Sequence, residues 1–133
     1  MQIEIFALCQ SARFDGTNLS LSGMFDTLGA KTFPATVSCS VLTKIRFELG
    51  EEGEHKLEIF LVNAYMRPVL FGGQLSKFEQ LVQIQIPNNR SSSHFHIWEN
   101  QETPIEKAGD YFFELKIDGL TKGRIPFYFW QNS

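Results

Sequence analysis

The residues of this chain best suited to chemistry are two histidines one position apart, His94-Phe95-His96. In an extended segment, residues two apart project from the same face, so both imidazoles could reach one metal ion. Trp98 falls on that face, and Glu99 or Glu102 could add a carboxylate. The pair resembles the opening of a cupin-type metal site, and the match then ends. Asn88 stands where that pattern has Gly, Asn100 and Gln101 stand where it has Glu, and no second motif follows. His55 is the one remaining histidine. A metal site needs three or four converging ligands, so the alternative is two solvent-facing histidines beside a Ser-rich loop.

Other candidates are weaker. Cys9 and Cys39 fall on inward-facing positions of alternating segments, where thiols are inert, and neither has a neighbouring histidine. They are expected to be unbridged, as in a reducing compartment. Ser91-Ser92-Ser93 lacks the G-x-S-x-G frame of a nucleophile elbow and reads as a mobile loop. Glu51-Glu52-Gly53-Glu54 lacks calcium-loop spacing and reads as a solvated turn. No enzyme motif and no cofactor is implied.

The elements that must position these residues are strands. The 133 residues make one domain, 1–133, with 43% hydrophobic residues, 20% charged residues and 13 Phe. Net charge is −3 with no basic patch, which argues against nucleic acid as partner. No apolar run approaches the ~18 residues of a membrane span. Glu4 stands where a secretory leader would carry positive charge, so a cytoplasmic protein that starts near Met1 is expected.

Period-two alternation runs through most of the chain. Ile3–Ala12 reads as a strand with Ile3, Ile5, Ala7 and Cys9 on one face and Phe6 and Leu8 on the other. Leu19–Gly23 follows a turn at Asp15–Asn18, and Met24–Leu28 extends it past a bulge at Gly23. Val37–Leu49 points Val37, Cys39, Val41, Thr43, Ile45, Phe47 and Leu49 inward, with Leu42 an exception on the polar face. His55–Tyr65 points Leu57, Ile59 and Leu61 inward. Val69–Phe71 is broken at Gly72-Gly73, and Gln74–Leu81 has room for one helical turn. Phe78–Ile86, a short His94–Trp98 segment and a terminal hairpin complete the set. That hairpin is entered through Gly109-Asp110-Tyr111, turns near Asp118-Gly119 and ends on Ile125–Trp130.

About eight short strands fit an all-β, antiparallel two-sheet sandwich of immunoglobulin-like type, with a jelly roll or open barrel as the competing arrangement. Tyr111 sits where such sandwiches carry a corner tyrosine, and Phe113 stands in the place of a disulfide cysteine.

Alternation also leaves apolar residues on the second face: Phe6, Phe60, Phe112, Tyr128 and Trp130. Gathered on one sheet, they would form an exposed patch that calls for a partner. The leading expectation is therefore a non-enzymatic binding module that forms a homodimer or takes another protein. A metal-dependent enzyme or sensor using His94 and His96 is the second, and a structural protein of a phage-like particle the third.

Several segments together resemble a bacterial domain family of unknown function. They are Phe6–Cys9, Gly16–Asp26, Phe33–Ala35, Glu51–His55, Arg67-Pro68, Gly109–Tyr111 and Asp118-Gly119. The resemblance spans nearly the whole chain and implies a small stand-alone β-sandwich without an assigned activity. Gln10 departs from its pattern, where an acidic residue is expected.

Overall fold

A computed structural model describes residues 1–71 and 73–132; the expected break at Gly72 and the last tail residue, Ser133, lie outside the described residues. The strands are β1 Gln2–Phe14, β2 Leu19–Met24, β3 Thr27–Ala30, β4 Ala35–Phe47, β5 Gly53–Asn63, β6 Leu70–Phe71, β7 Gln74–Leu75, β8 Lys77–Ile84, β9 Ser92–Ile105, β10 Gly109–Ile117 and β11 Leu120–Gln131. They build an all-β sandwich. Sheet A has the order β2-β1-β4-β9, sheet B the order β3-β11-β10-β5-β8, and β6-β7 form a small separate ribbon. Every pairing described is antiparallel except β3 with β11, which is parallel.

The core lies between the sheets. Val41, Ile45 and Phe47 from β4 meet Leu57, Ile59 and Leu61 from β5 and Phe113, Leu115 and Ile117 from β10, all at most 1% exposed. Phe127 packs edge-on against Phe113 with ring centroids 5.8 Å apart.

Besides a register shift against β9 between Cys39 and Val41, sheet A departs from simple alternation in two ways. The first is a register shift between Ile3 and Ile5. A bulge places two residues opposite one, so the strand's faces exchange beyond it. Ile3 lies opposite Ile45, but Phe6 lies opposite Thr43 and Leu8 opposite Val41. Phe6 and Leu8 therefore turn into the core, and Ile5, Ala7 and Cys9 turn away, the reverse of uninterrupted alternation. Glu4 secures the bulge. Its carboxylate takes Arg46 at 3.2 Å, Ser93 at 3.1 Å and Lys44 at 3.5 Å.

The second departure is curl. Residues Ser11–Phe14 pair with β2 alone and bend across the outer face of sheet A. Phe14 reaches over to stack on Phe95 of β9, centroids 5.1 Å apart. Beneath this half-barrel lies a second small core of Ala7, Cys9, Ala12 and Leu42, all buried, with Leu42 0% exposed. Leu42 is thus no exception: its face is covered.

Three local expectations change. Leu49 lies past the end of β4 and is 60% exposed. Gln74–Leu81 carries strands β7 and β8 in place of a helical turn. Ser92 and Ser93 open β9, paired with Phe47 and Arg46, so this is no mobile loop.

Leu42 and Leu49 separate the curled sheet from simple alternation. Leu42→Ala should lower the unfolding free energy measured in urea by about 2–5 kcal/mol. Leu49→Ala should stay within about 0.5 kcal/mol of the native chain.

Candidate functional site

The outer face of sheet B divides into a charged half and an apolar half. In the charged half, Glu58 and Glu114 are almost fully buried although they face outward. Glu58 takes the ammonium of Lys77 at 3.1 Å and that of Lys56 at 3.7 Å. Glu114 takes Arg124 Nε at 2.8 Å and the Thr121 hydroxyl at 3.1 Å. Phe60 lies opposite Glu114 on the neighbouring strand, half-buried. Lys116 and Lys77 cover its ring, their ammonium groups 4.9 and 5.6 Å from the centroid. Long lysine stems can cover apolar surface in this way while the charge stays in water.

The apolar half continues along the same strands. Phe112 of β10 lies between Val62 of β5 and Pro126 of β11. Val62 is bridged in turn by Pro68 and is 2% exposed. One pleat further along β11, Tyr128 is 45% exposed and Trp130 43% exposed. Both point away from the core that Phe127 and Phe129 fill, as strand alternation requires. Trp130 is seated on β3. A Cβ at Gly29 would stand 2.7 Å from the indole, so only glycine lets the ring lie this close. The plate is Phe112, Pro126, Tyr128 and Trp130, with Phe60 screened off. Phe6 is absent from it: the β1 bulge sends that ring inward, towards Gly123 and Ile125.

His94 and His96 are not solvent-facing. They lie opposite Ile45 and Thr43, so with Trp98 they line the inner face of β9 at the rim of the sandwich. Trp98 packs on Phe78 of β8, centroids 5.8 Å apart. The two imidazoles are parallel within 8° and 6.4 Å apart. Burial pushes the His94 pKa down. Burial, and then the neighbouring His94, push that of His96 down as well. Among the described residues no group of three or more His, Cys, Asp or Glu could hold a metal ion, so the pair gains no third ligand. Glu99 and Glu102 are exposed and stand apart from it.

His55 is placed very differently. Its Nδ1 lies 2.6 Å from Asp118 Oδ2 in the β10–β11 turn, and its Nε2 lies 2.6 Å from the Glu51 carbonyl oxygen. The two cysteines are unbridged and buried. Cys9 donates weakly to the Ser40 carbonyl at 3.7 Å. Burial, with Cys9 nearby, pushes the Cys39 thiol up to about 11, which suits packing and not nucleophilic attack.

Two contributors carry little signal in the sequence. Pro68 and Gly29 complete the plate, and both resemble ordinary turn residues. For Gly29 the available signal is a glycine inside a strand, where close approach of another group is a common reason for it.

The rim histidines give a pH dependence. In the unfolded chain both rings take a proton as pH falls through about 6.5. In the folded chain they take it only at lower pH. Their contribution is therefore complete above that value and is lost as pH falls below it. Thermal melts between about pH 7.5 and about pH 5 should show His94→Gln/His96→Gln losing less stability on acidification than the native chain. An equal loss in both would contradict this placement.

No helix among the described residues is long and apolar enough to cross a membrane. The model of a family of unknown function, DUF6941, matches residues 4–129. No curated protein matches the chain.

Proposed function

The chain belongs to the DUF6941 family, and we propose that it acts as a non-enzymatic binding module, self-associating through the apolar half of the outer face of sheet B. One observation carries this reading. On the outer face of sheet B, Tyr128 and Trp130 stand nearly half exposed on one strand, and Gly29 lets the Trp130 ring lie close against β3. Rigid aromatics lose little conformational freedom on docking, which is why they dominate interface energetics. A second copy offers the same plate and the same nearly balanced charged half. A two-fold axis through the face would set plate on plate.

We infer further that the sandwich is immunoglobulin-like. β1, β4 and β9 stand in A-B-E order, and β11, β10, β5 and β8 in G-F-C-C′ order. The Tyr111 hydroxyl donates to the Lys107 carbonyl at 2.6 Å, which is the geometry of a tyrosine corner. Phe113, two residues on, fills space that a disulfide occupies in antibody domains. A cytoplasmic setting fits the two unbridged thiols.

Sedimentation velocity tests the self-association. The native chain should dimerise at micromolar concentration, and Trp130→Glu and Tyr128→Glu should sediment as folded monomers. A native chain that stays monomeric, or a dimer untouched by both substitutions, would refute the reading.

A further inference from the structure

We propose that His55 is a proton-operated clasp: with both ring nitrogens protonated it ties the β4–β5 turn to the β10–β11 turn, and when one proton leaves, the β4–β5 turn comes away. The geometry carries this. Both partners of the ring are acceptors, a carboxylate on Nδ1 and a backbone carbonyl on Nε2, each at 2.6 Å. A neutral imidazole has one N–H to donate, and the charged ring has two. Neutral His55 would set a nitrogen lone pair against an oxygen lone pair at one of these two acceptors, so the ring must let go of one of them.

Acceptor strength decides which. A carboxylate holds a donor more tightly than a neutral carbonyl does, so the remaining proton stays on Nδ1 towards Asp118. The Glu51 carbonyl is the acceptor that neutral His55 releases. Asp118 is anchored independently. It sits at a left-handed φ of 53°, its carboxylate takes the Lys56 N–H at 2.9 Å, and its own N–H donates to the Lys56 carbonyl at 2.9 Å. The other contacts of the β4–β5 turn lie within it or reach the N-terminus, starting with the Glu51 N–H, which donates to the Glu48 carbonyl at 3.0 Å. Glu51 accepts the Glu48 N–H at 2.8 Å and the Met1 amino group at 2.8 Å, and Gly50 donates to Glu52.

The surroundings favour the charged ring. Asp118 and the Glu51 carboxylate face it from the two turns, while Glu48, Glu52 and Glu54 of the same segment are exposed to solvent. From β4 the Phe47 ring packs on it, centroids 5.0 Å apart. From β8 the residue opposite is Val82, which carries no charge. The Lys56 ammonium is drawn to Glu58 and Glu79 on the outer face. Burial of the ring acts to lower its pKa, but the Glu51 carbonyl and Asp118 outweigh it and the pKa is raised. The clasp is therefore shut below the ordinary histidine range and opens as pH rises through the elevated value.

Ring ¹⁵N shifts of the full chain, followed across pH, test this together with amide hydrogen exchange corrected for intrinsic rates. His55 should remain doubly protonated where His94 and His96 are neutral, with its midpoint above about 6.5. Amide protection at Glu48, Gly50 and Glu51 should fall severalfold through that midpoint. Asp118→Asn, which suits the left-handed backbone, should lower the midpoint by about one unit or more. In His55→Gln, protection of the turn should lose its pH dependence. A His55 midpoint at or below about 6.5 would overturn the clasp. So would an unmoved midpoint in Asp118→Asn, or turn protection indifferent to the midpoint.

Discussion

Sheet A can bury Leu42 only because β1 bends over it. A strand delivers every second side chain to each face; β1 is apolar on both, and β4 adds Leu42 to its otherwise polar second face. One face is covered by sheet B. The other has no third layer, so the end of β1 and β2 supply the cover, closed by the Phe14–Phe95 stack. Such a stacked pair contributes about 0.5–1.5 kcal/mol beyond its buried area. The bulge after Ile3 decides which β1 residues go to which core, and the Glu4 carboxylate, held by Arg46, Lys44 and Ser93, holds that bulge in place. Without the bulge, Phe6 and Leu8 would leave the main core.

Sheet B solves the same problem with charge. Its outer face carries Phe60, and lysines from the flanking strands β8 and β10 cover the ring while pairing with inward-drawn glutamates. Desolvated carboxylates are tolerable there because each has a cation within hydrogen-bonding distance. Beyond Glu114 and Phe60 the aromatic plate begins, with Asp110 of β10 as the charge opposite Tyr128. The three histidines show how strongly position governs charge. Burial at the rim pushes the pKa of His94 and His96 down, whereas the Glu51 carbonyl and Asp118 outweigh burial at His55 and raise its pKa.

Much of the sandwich is legible in the sequence because period two is local. The inward set Val37, Cys39, Val41, Ile45 and Phe47 needs nothing beyond alternation, and Gly109-Asp110-Tyr111 announces its corner through a glycine and a tyrosine with one job each. What alternation cannot carry is an inserted residue. A bulge leaves no mark in composition, so Phe6 and Cys9 exchange faces without notice. Long-range cover is equally silent. Leu42 looks misplaced until β1 folds over it, and Phe60 looks exposed until Lys77 and Lys116 arrive from other strands. The histidine pair fails for a third reason: a short segment with His, Phe, His and Trp gives no hint of which face is the core. Of the five apolar residues left over by alternation, the structure turns one inward, screens one with lysines and leaves three along one strip.

Residue-resolved hydroxyl-radical footprinting at low and high protein concentration tests the central claim most directly: among the surplus aromatics, Tyr128 and Trp130 are the surface offered to a second copy. In dilute protein those two should be oxidised readily, and Phe6 should resist. At high concentration Tyr128 and Trp130 should become protected, while Leu49, 60% exposed in the turn at the opposite end of β5, stays reactive. Protection of Leu49 with Trp130 still reactive, or ready oxidation of Phe6 in the folded monomer, would contradict the account.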